Sequence, residues 1–296
     1  MTGFTKYYFI INPAAGNGRQ MYDVGRIQEY CREQRWTFDT VVTKAPGEAV
    51  ELARRANGQY EVVVAVGGDG TVNEVATGIL GSNAVLGIIP TGSGNDFALT
   101  IGLTKNIHKN LKVLNNAGTR TIDIGRVNGD RYFINGIGVG FDGEVASRVR
   151  KFLKYARGFS AYVLAVLRTL ITYRFRVVRI SIDGHEVYHG SLFFVATCNG
   201  TRYGGGFRVA PMAKIDDGHF DICLVKKTGR WYALRHLPKF TRGKHLSMPE
   251  VHMLTGHDIV IESAEGLAAH VDGELLPRQN HYRITIVPKS ITIISP

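Results

Sequence analysis

The apolar run Val62-Val63-Val64-Ala65 leads directly into Val66-Gly67-Gly68-Asp69-Gly70-Thr71 and then into the amphipathic stretch that begins Val72-Asn73-Glu74-Val75. A strand that ends in three glycines around one carboxylate lets backbone approach a ligand closely. Glycine tolerates positive φ, and without a Cβ it leaves amide N–H groups open to phosphate oxygens. Asp69 places one charge in that loop, where a metal ion or a cation can meet it. The segment reads as a nucleotide phosphate site. It is not a Walker A loop, since no Gly-Lys-Ser/Thr follows, and it is not Gly-x-Gly-x-x-Gly. The plain alternative is a tight turn between a strand and a helix.

Two further loops share its character. Ile10-Ile11-Asn12-Pro13-Ala14-Ala15-Gly16-Asn17-Gly18-Arg19 lies upstream, and Pro90-Thr91-Gly92-Ser93-Gly94-Asn95-Asp96-Phe97 downstream. Each is a small-residue loop after an apolar strand. Three of them in about 90 residues point to one ligand cradled by several strand ends. In open α/β sheets ligands sit at the carboxyl ends of the strands.

With these three loops the chain resembles the diacylglycerol kinase catalytic family, the soluble bacterial lipid kinases with their sphingosine and ceramide kinase relatives. Later segments add to the resemblance: Cys198-Asn199-Gly200, Tyr203-Gly204-Gly205-Gly206-Phe207, Ala210-Pro211, Asp216-Asp217-Gly218 with Asp221, and Val271-Asp272-Gly273-Glu274. It covers nearly the whole chain. Gly-Gly-Asp-Gly-Thr alone also occurs in NAD kinases, whereas the 90–97 and 271–274 motifs together are more specific to lipid kinases.

The formal net charge of +11 favours anionic partners: a nucleotide, an anionic lipid surface or nucleic acid. Cys31, Cys198 and Cys223 are scattered and odd in number. They suggest neither a metal site nor a disulfide framework, and they fit a reducing compartment. Residues 1–6 offer no signal-peptide stretch, and no run of about 18 uncharged apolar residues is present to span a bilayer. The expected location is the cytoplasm, with peripheral membrane association.

Strands are expected at 6–12, 37–43, 61–66 and 84–89, with helices at 20–34, 46–57, 72–80 and 106–117. That alternation predicts a parallel, doubly wound sheet. Near residue 120 the pattern changes to successive strands at 121–127, 131–140, 177–183, 186–197, 219–226, 256–262, 267–272 and 282–287, interrupted by one helical segment at 144–173. Asn128-Gly129-Asp130 and Asp183-Gly184 are hairpin signals. The fold class is therefore α/β plus β: an N-terminal doubly wound α/β nucleotide-binding domain over 1–125 and a C-terminal antiparallel β-sandwich domain over 126–287, which takes the lipid substrate. One more strand at 291–294 is expected, and the resemblance implies that the end of the chain, near 288–296, returns to the first domain.

Phosphoryl transfer needs phosphate positioning, charge neutralisation and a base near the attacking hydroxyl. The resemblance implies ATP and Mg²⁺ as cofactors. It places nucleotide contacts at Asn12, Pro13, Ala14, Ala15, Gly16, Thr43, Gly67, Gly68, Asp69, Gly70, Thr71, Val72, Asn73 and Ser93. Asp69, Asp96 and Asp123 lie near three expected strand ends, and together they would form a magnesium and cation network. The family pairs the aspartates matching Asp96 and Asp123 with a lysine. Here Asn17 occupies that position, and Arg19, two residues on, is the available cation. Asp272-Gly273 alone signals a turn. The resemblance makes Glu274 the general base that accepts the lipid hydroxyl proton, with Asp272 supporting it or the metal. It also implies a structural Mg²⁺ at Asp217 with the carbonyls of Lys214 and His219, where the plain reading is a surface turn.

Two basic runs interleave with apolar residues: Arg148 to Arg179, and Lys226 to Lys244 with Trp231 and Tyr232. They fit docking on an anionic membrane or, equally, solvated faces. No nucleic-acid partner is expected, since no nucleic-acid-binding motif accompanies them. Homodimerisation stays open. The expected reaction is phosphorylation of diacylglycerol to phosphatidic acid, a step of phospholipid metabolism. The alternatives are another lipid alcohol (a sphingoid base or phosphatidylglycerol), NAD, or a non-catalytic basic lipid-binding protein.

Overall fold

The computed structural model describes residues 3–15, 20–116, 118–152 and 159–296. The chain divides into two units, one of Met1–Asp123 with Pro288–Pro296 and one of Ile124–Val287.

The first unit runs β1 (Lys6–Ile11), α1 (Gln20–Glu33), β2 (Thr37–Val42), α2 (Glu48–Ala56), β3 (Val62–Gly67), α3 (Asp69–Ile79), β4 (Val85–Pro90), α4 (Asp96–Thr100) and α5 (Ile107–Asn116). Its strands are parallel, in the order β2-β1-β3-β4; Ile10 lies beside Val41 and Ala65, and Ala65 beside Ile88. Every residue of β3 and β4 is buried, which is why both read as unbroken apolar runs. Tyr7, Phe9, Val62 and Val64 pack on Ile27 and Cys31 of α1 and on Leu111 and Leu114 of α5. Burying each such side chain contributes about 1.5–3 kcal/mol. Helices α2 and α3 pack closely on each other, because a Cβ on Gly78 would lie 2.4 Å from the Val50 carbonyl oxygen. Glu74 of α3 also caps α2, accepting the Gly47 and Ala49 N–H groups at 3.0 and 3.2 Å.

β5 (Gly118–Val127) leads into the second unit, which continues with β6 (Arg131–Phe133), β7 (Gly136–Gly140), α6 (Phe141–Phe152), α7 (Phe159–Thr172), β8 (Arg176–Ile182), β9 (His185–Cys198), β10 (Phe220–Lys226), α8 (Arg230–Thr241), β11 (Val251–Gly256), β12 (Asp258–Val271) and β13 (Glu274–Ser295). The strands are antiparallel in the order β11-β10-β9-β7-β12-β13. β8 pairs with β9 and β12 beyond the reach of β7, so β7 and β8 fill successive parts of one row. One face of this sheet encloses an aliphatic and aromatic core with Val139, Val195, Ile222 and Ile261. The opposite face, with Phe194, Ala196 and Cys223, packs against α6, α7 and α8. The Asn128-Gly129, Asp183-Gly184 and Asp272-Gly273 pairs all have positive φ, the signature of two-residue hairpin turns that suit the strand twist.

The end of β13 belongs to the first unit, where Ile293 pairs in parallel with Leu86. Several expected elements change. The single helical segment at 144–173 is α6 and α7. The strands at 256–262 and 267–272 are one strand, β12, with a register shift between Glu262 and Leu267. Those at 282–287 and 291–294 are both within β13, and 131–140 is broken into β6 and β7. Helices α4 and α8 and strand β11 were not expected. Among the described residues, no helix is long and apolar enough to cross a membrane.

Candidate functional site

In the first unit, the loops after β1, β2, β3 and β4 lie at one edge of the parallel sheet, and hydrogen bonds stitch them together. Asn12 donates its backbone N–H to Val66 at 3.0 Å and its Nδ2 to the Thr71 hydroxyl at 2.9 Å. Its Oδ1 accepts the Ala14 N–H at 2.9 Å. The buried Thr43 donates its N–H to the Ile11 carbonyl at 2.9 Å, so it is tied to the end of β1. Thr91 donates to Gly67 at 2.8 Å. A Cβ on Gly67 would lie 2.4 Å from the Thr71 Oγ1, so this glycine makes room for the first turn of α3. No side chain caps Gly68, the residue preceding α3. The loop therefore presents the positive end of α3 and its first amides, an arrangement suited to phosphate oxygens.

Asn95 holds the neighbouring loop in a left-handed turn with φ 60°. Its Oδ1 accepts the Gly92 N–H at 2.9 Å, and its Nδ2 donates to the Gly92 carbonyl at 2.7 Å. Sequence reasoning gave Asn95 no role, although Asn is the side chain that most readily adopts this backbone conformation. Gly70, Val72 and Asn73 lie in the first turn of α3. Pro13, Ala14 and Ser93 are exposed, and Ala15 is half-buried. Gly16, Asn17 and Arg19 lie outside the described residues.

Asp69, Asp96 and Asp123 all lie in the first unit, where backbone amides accompany the first and the last. Among the described residues, no three His, Cys, Asp or Glu side chains are arranged to hold an ion. Asp69 lies against the amides that begin α4, accepting the Phe97 N–H at 3.1 Å. Burial pushes its carboxyl above the usual range, while those amides pull it back. Asp123 is fully buried and accepts the Lys289 N–H at 2.7 Å. Asp96 is buried at the start of α4. Mg²⁺ bound to a nucleotide takes most of its ligands from phosphate and water and needs only one or two carboxylates. Asp69 beside the phosphate loop suits that donor set.

In the second unit, Asp272 and Gly273 form the turn between β12 and β13, and Glu274 is the first residue after it, paired with Val271. The hairpin turn is therefore present, with the family motif lying across it. Asp272 is buried, and its carboxylate accepts the N–H groups of Ile134, Asn135 and Gly136 at 2.9, 3.2 and 2.8 Å. It is a clamp on the segment between β6 and β7. Glu274 is half-buried and forms an ion pair with Arg131. That partner was missed because 143 positions separate the two in sequence.

The same unit contains an apolar cavity of about 60 Å³, lined by Phe141, Leu170, Phe194, Phe207, Leu237 and Phe240, among others. Asp142 and Tyr203 also line it, and the Tyr203 hydroxyl donates to the Asp142 carboxylate. Burial raises the Asp142 carboxyl to about 7. His270 is buried beside the Tyr203 ring, and burial lowers its imidazole to about 4. Sequence reasoning singled out neither Asp142 nor His270.

Asp217 lies in an exposed turn, where its Oδ1 accepts the His219 N–H at 3.1 Å and its carbonyl meets the His219 Nδ1 at 2.9 Å. Lys214 and His219 are exposed beside it.

Residues 6–127 match the diacylglycerol kinase catalytic domain, and residues 135–295 match the YegS C-terminal NAD kinase beta sandwich-like domain. A diacylglycerol kinase of Bacillus subtilis strain 168 is 32% identical over 283 residues, covering 93% of this chain and 93% of that protein. A probable lipid kinase YegS-like protein of Chromohalobacter salexigens is 32% identical, covering 95% of this chain and 91% of its own length. A crystal structure of a Bacillus anthracis str. Sterne protein assigned to the diacylglycerol kinases superposes with a TM-score of 0.81 at 26% identity, covering 100% of this chain and 99% of that one. An NAD kinase of Archaeoglobus fulgidus, crystallised with ATP, shares the fold at a TM-score of 0.55 and 14% identity, covering 98% of this chain and 93% of that one. With glycine-rich loops along one sheet edge, the Asp272-Gly273 hairpin and matches over nearly its full length, the chain belongs to the diacylglycerol kinase family of lipid kinases, enzymes that transfer phosphate to an alcohol.

Proposed function

We propose that this kinase transfers the γ-phosphate of ATP, with Mg²⁺, to the free hydroxyl of diacylglycerol, giving phosphatidic acid. The observation that carries the reading is the backbone contact between the 67–71 and 91–95 loops at the end of a parallel sheet. It leaves amides and a helix N-terminus, not bulky side chains, facing a ligand. The nucleotide phosphates lie along Asn12 to Gly16, Gly67 to Asn73 and Ser93, with Thr43 at the neighbouring strand end. Bound Mg²⁺ would supply charge neutralisation at the phosphates, and Asp69, at the start of α3, would be a carboxylate to hold it.

Glu274 accepts the proton of the attacking hydroxyl. To do so its carboxylate exchanges the Arg131 guanidinium for the substrate hydroxyl, and Arg131 then remains to balance the charge. Asp272 keeps the hairpin that presents Glu274 in place. Asp96 and Asp123, buried at strand and helix ends, shape the first unit's carboxylate environment. The apolar cavity meets an apolar part of the lipid, since its lining offers little to a polar acceptor such as NAD. Asp217, with the carbonyls of Lys214 and His219, holds a structural Mg²⁺. The lipid is met at a membrane surface by a protein that associates with it reversibly.

The test is transfer of labelled γ-phosphate from ATP into a panel of lipids in anionic mixed micelles, with NAD as a control. Labelled phosphatidic acid is the expected product. Label in a sphingoid base, phosphatidylglycerol or NAD would replace the acceptor, and ATP binding with no transfer would favour a non-catalytic lipid-binding protein.

A further inference from the structure

The two basic runs have different surroundings. Three cations of the first pair with carboxylates of the second unit: Arg148 lies 4.0 Å from Glu144, Arg176 3.0 Å from Glu265 and Arg179 3.3 Å from Glu186. The second run lies on and beside α8, with no acidic residue between Lys226 and Pro249. Among the described residues, no carboxylate pairs with Arg230, Arg235, Lys239, Arg242 or Lys244.

Helix α8 is also two-faced in an unusual way. Ala233, Leu234, Leu237 and Phe240 face inward and form one wall of the apolar cavity. Exposed Trp231, Arg235 and Pro238, with Arg242 just past the helix end, recur at helical spacing and make one outward stripe. Trp231 is 84% exposed, the most exposed of the large hydrophobic residues described. An indole left in water at the start of a cationic helix is out of place on a monomer's solvated face but suited to a membrane interface.

Apolar residues extend the stripe at both ends. Arg230 donates to the Tyr173 carbonyl at 3.3 Å, which places the start of α8 by the end of α7, where Ile171 is 64% exposed. At the other end, Arg208 donates to the Phe240 carbonyl at 2.9 Å and Gly243 packs against Pro211, next to Met212, which is 75% exposed.

We propose that the outward stripe of α8, with Ile171 and Met212 at its ends, seats the second unit on an anionic lipid bilayer. Trp231 inserts at the interface, and the cations of the run meet the headgroups. The occupant is a bilayer because the stripe combines unpaired cations with exposed apolar side chains, and because its inner face is continuous with the cavity. A helix is about 10 Å across, so seating α8 brings the cavity wall within one helix thickness of the acyl layer. The inference rests on the lipid-kinase reading for what enters the cavity, while the seating itself is read from α8.

The chain carries its own reporter. Of its two tryptophans, Trp36 is buried and stacks on Tyr7 with ring centroids 3.9 Å apart, so Trp231 is the one open to lipid. The experiment titrates the full chain with vesicles of phosphatidylcholine alone and of phosphatidylcholine mixed with phosphatidylglycerol. It reads Trp fluorescence and co-sedimentation, with no ATP present. A blue shift and sedimentation with the anionic vesicles are expected, both suppressed by salt. Arg235→Gln with Arg242→Gln should weaken sedimentation about 25-fold, at about fivefold per cation. Trp231→Ala should weaken it roughly tenfold and abolish the shift.

Both variants should phosphorylate a short-chain, monomeric diacylglycerol at the wild-type rate while losing activity on vesicle-borne substrate. Wild-type sedimentation of Trp231→Ala overturns the proposal, as does a shift that follows protein concentration without vesicles, which would mean a second copy covers the stripe. Vesicle binding through α8 with no transfer to any lipid would leave the docking intact and sink the substrate reading instead.

Discussion

Gly68 and Gly92 meet backbone to backbone: a Cβ on Gly92 would lie 2.5 Å from the Gly68 Cα and 3.2 Å from the Gly68 nitrogen. Neither contact is with a flexible side chain, so Gly92→Ala must push the two glycine-rich loops apart. The core strands beneath are untouched, and the variant should fold. Misplacing a positioning element by about 1 Å costs on the order of 10²-fold in rate. We therefore expect kcat/KM for ATP to fall by about that factor, with a clear rise in the Kd for ATP measured by calorimetry. Unchanged ATP affinity would mean that the nucleotide does not use this junction.

Glu274 and Arg131 form the second testable pair. Glu274→Gln keeps the size and one acceptor but removes the base. General-base contributions are typically 10²–10⁴-fold, so kcat should fall by roughly that range while ATP affinity stays at the wild-type value. Arg131→Met leaves the base in place without its counter-charge and should lower kcat by a smaller factor. Full turnover in Glu274→Gln would move the base elsewhere.

The parallel half of the fold was legible because β3 and β4 are buried on both faces and so appear as unbroken apolar runs before glycine-rich loops. The two-residue turns were legible for a local reason too, since Asn-Gly and Asp-Gly supply positive φ. What escaped was whatever distant partners decide. Helix α8 has no buried residue and contains Pro238, so neither apolar periodicity nor propensity marks it. Its stability comes from the cavity wall it covers. Helix α4 spans only five residues, and its first amides rest on Asp69, 28 positions back from Phe97. The polar break Ala264-Glu265-Gly266 split β12 in sequence, whereas the strand absorbs it as a register shift. The loops of the site were readable as motifs. The uses of Asp69, Asp123 and Asp272 were not, because a carboxylate that accepts backbone amides leaves no trace at its own position.

The Asp217 turn makes a prediction about stability, separate from catalysis. If Mg²⁺ binds there in the folded state alone, adding it at about 100 times its Kd stabilises the protein by about 2.7 kcal/mol. Thermal unfolding with and without a chelator should then show a Tm shift in the wild type that Asp217→Asn loses. Glu274→Gln should keep the shift, since that residue is far from the turn in sequence and role. An equal shift in wild type and Asp217→Asn would remove the metal from this turn.

Asp142 and His270 give opposed pH dependences within one buried cluster. An added Cβ on Gly138 would lie 2.6 Å from the Asp142 Oδ2 and 2.7 Å from the His270 Nε2, so both side chains crowd the same point. Tyr203 donates to Asp142, and the charge of Asp142 also reaches Tyr173, Cys198 and Cys223. Burial raises Asp142 from 3.8 to about 7. Its protonated form stabilises the fold fully below about pH 4, and that stability is lost as pH rises through about 7. At 1.36 kcal/mol per unit the loss is about 4 kcal/mol at most. Burial lowers His270 from 6.5 to about 4. Its neutral form favours the fold above about pH 6.5, and that contribution, about 3 kcal/mol at most, is lost as pH falls through about 4. Between these limits the two slopes cancel, which keeps the cluster nearly indifferent to pH. Each substitution should expose the other slope. Relative to wild type, Asp142→Asn should gain stability as pH rises from 4.5 to 8, and His270→Gln should gain it as pH falls from 6.5 to 4.5. Urea midpoints at several pH values measure both, and curves parallel to wild type in both variants would show that neither group titrates as its burial dictates.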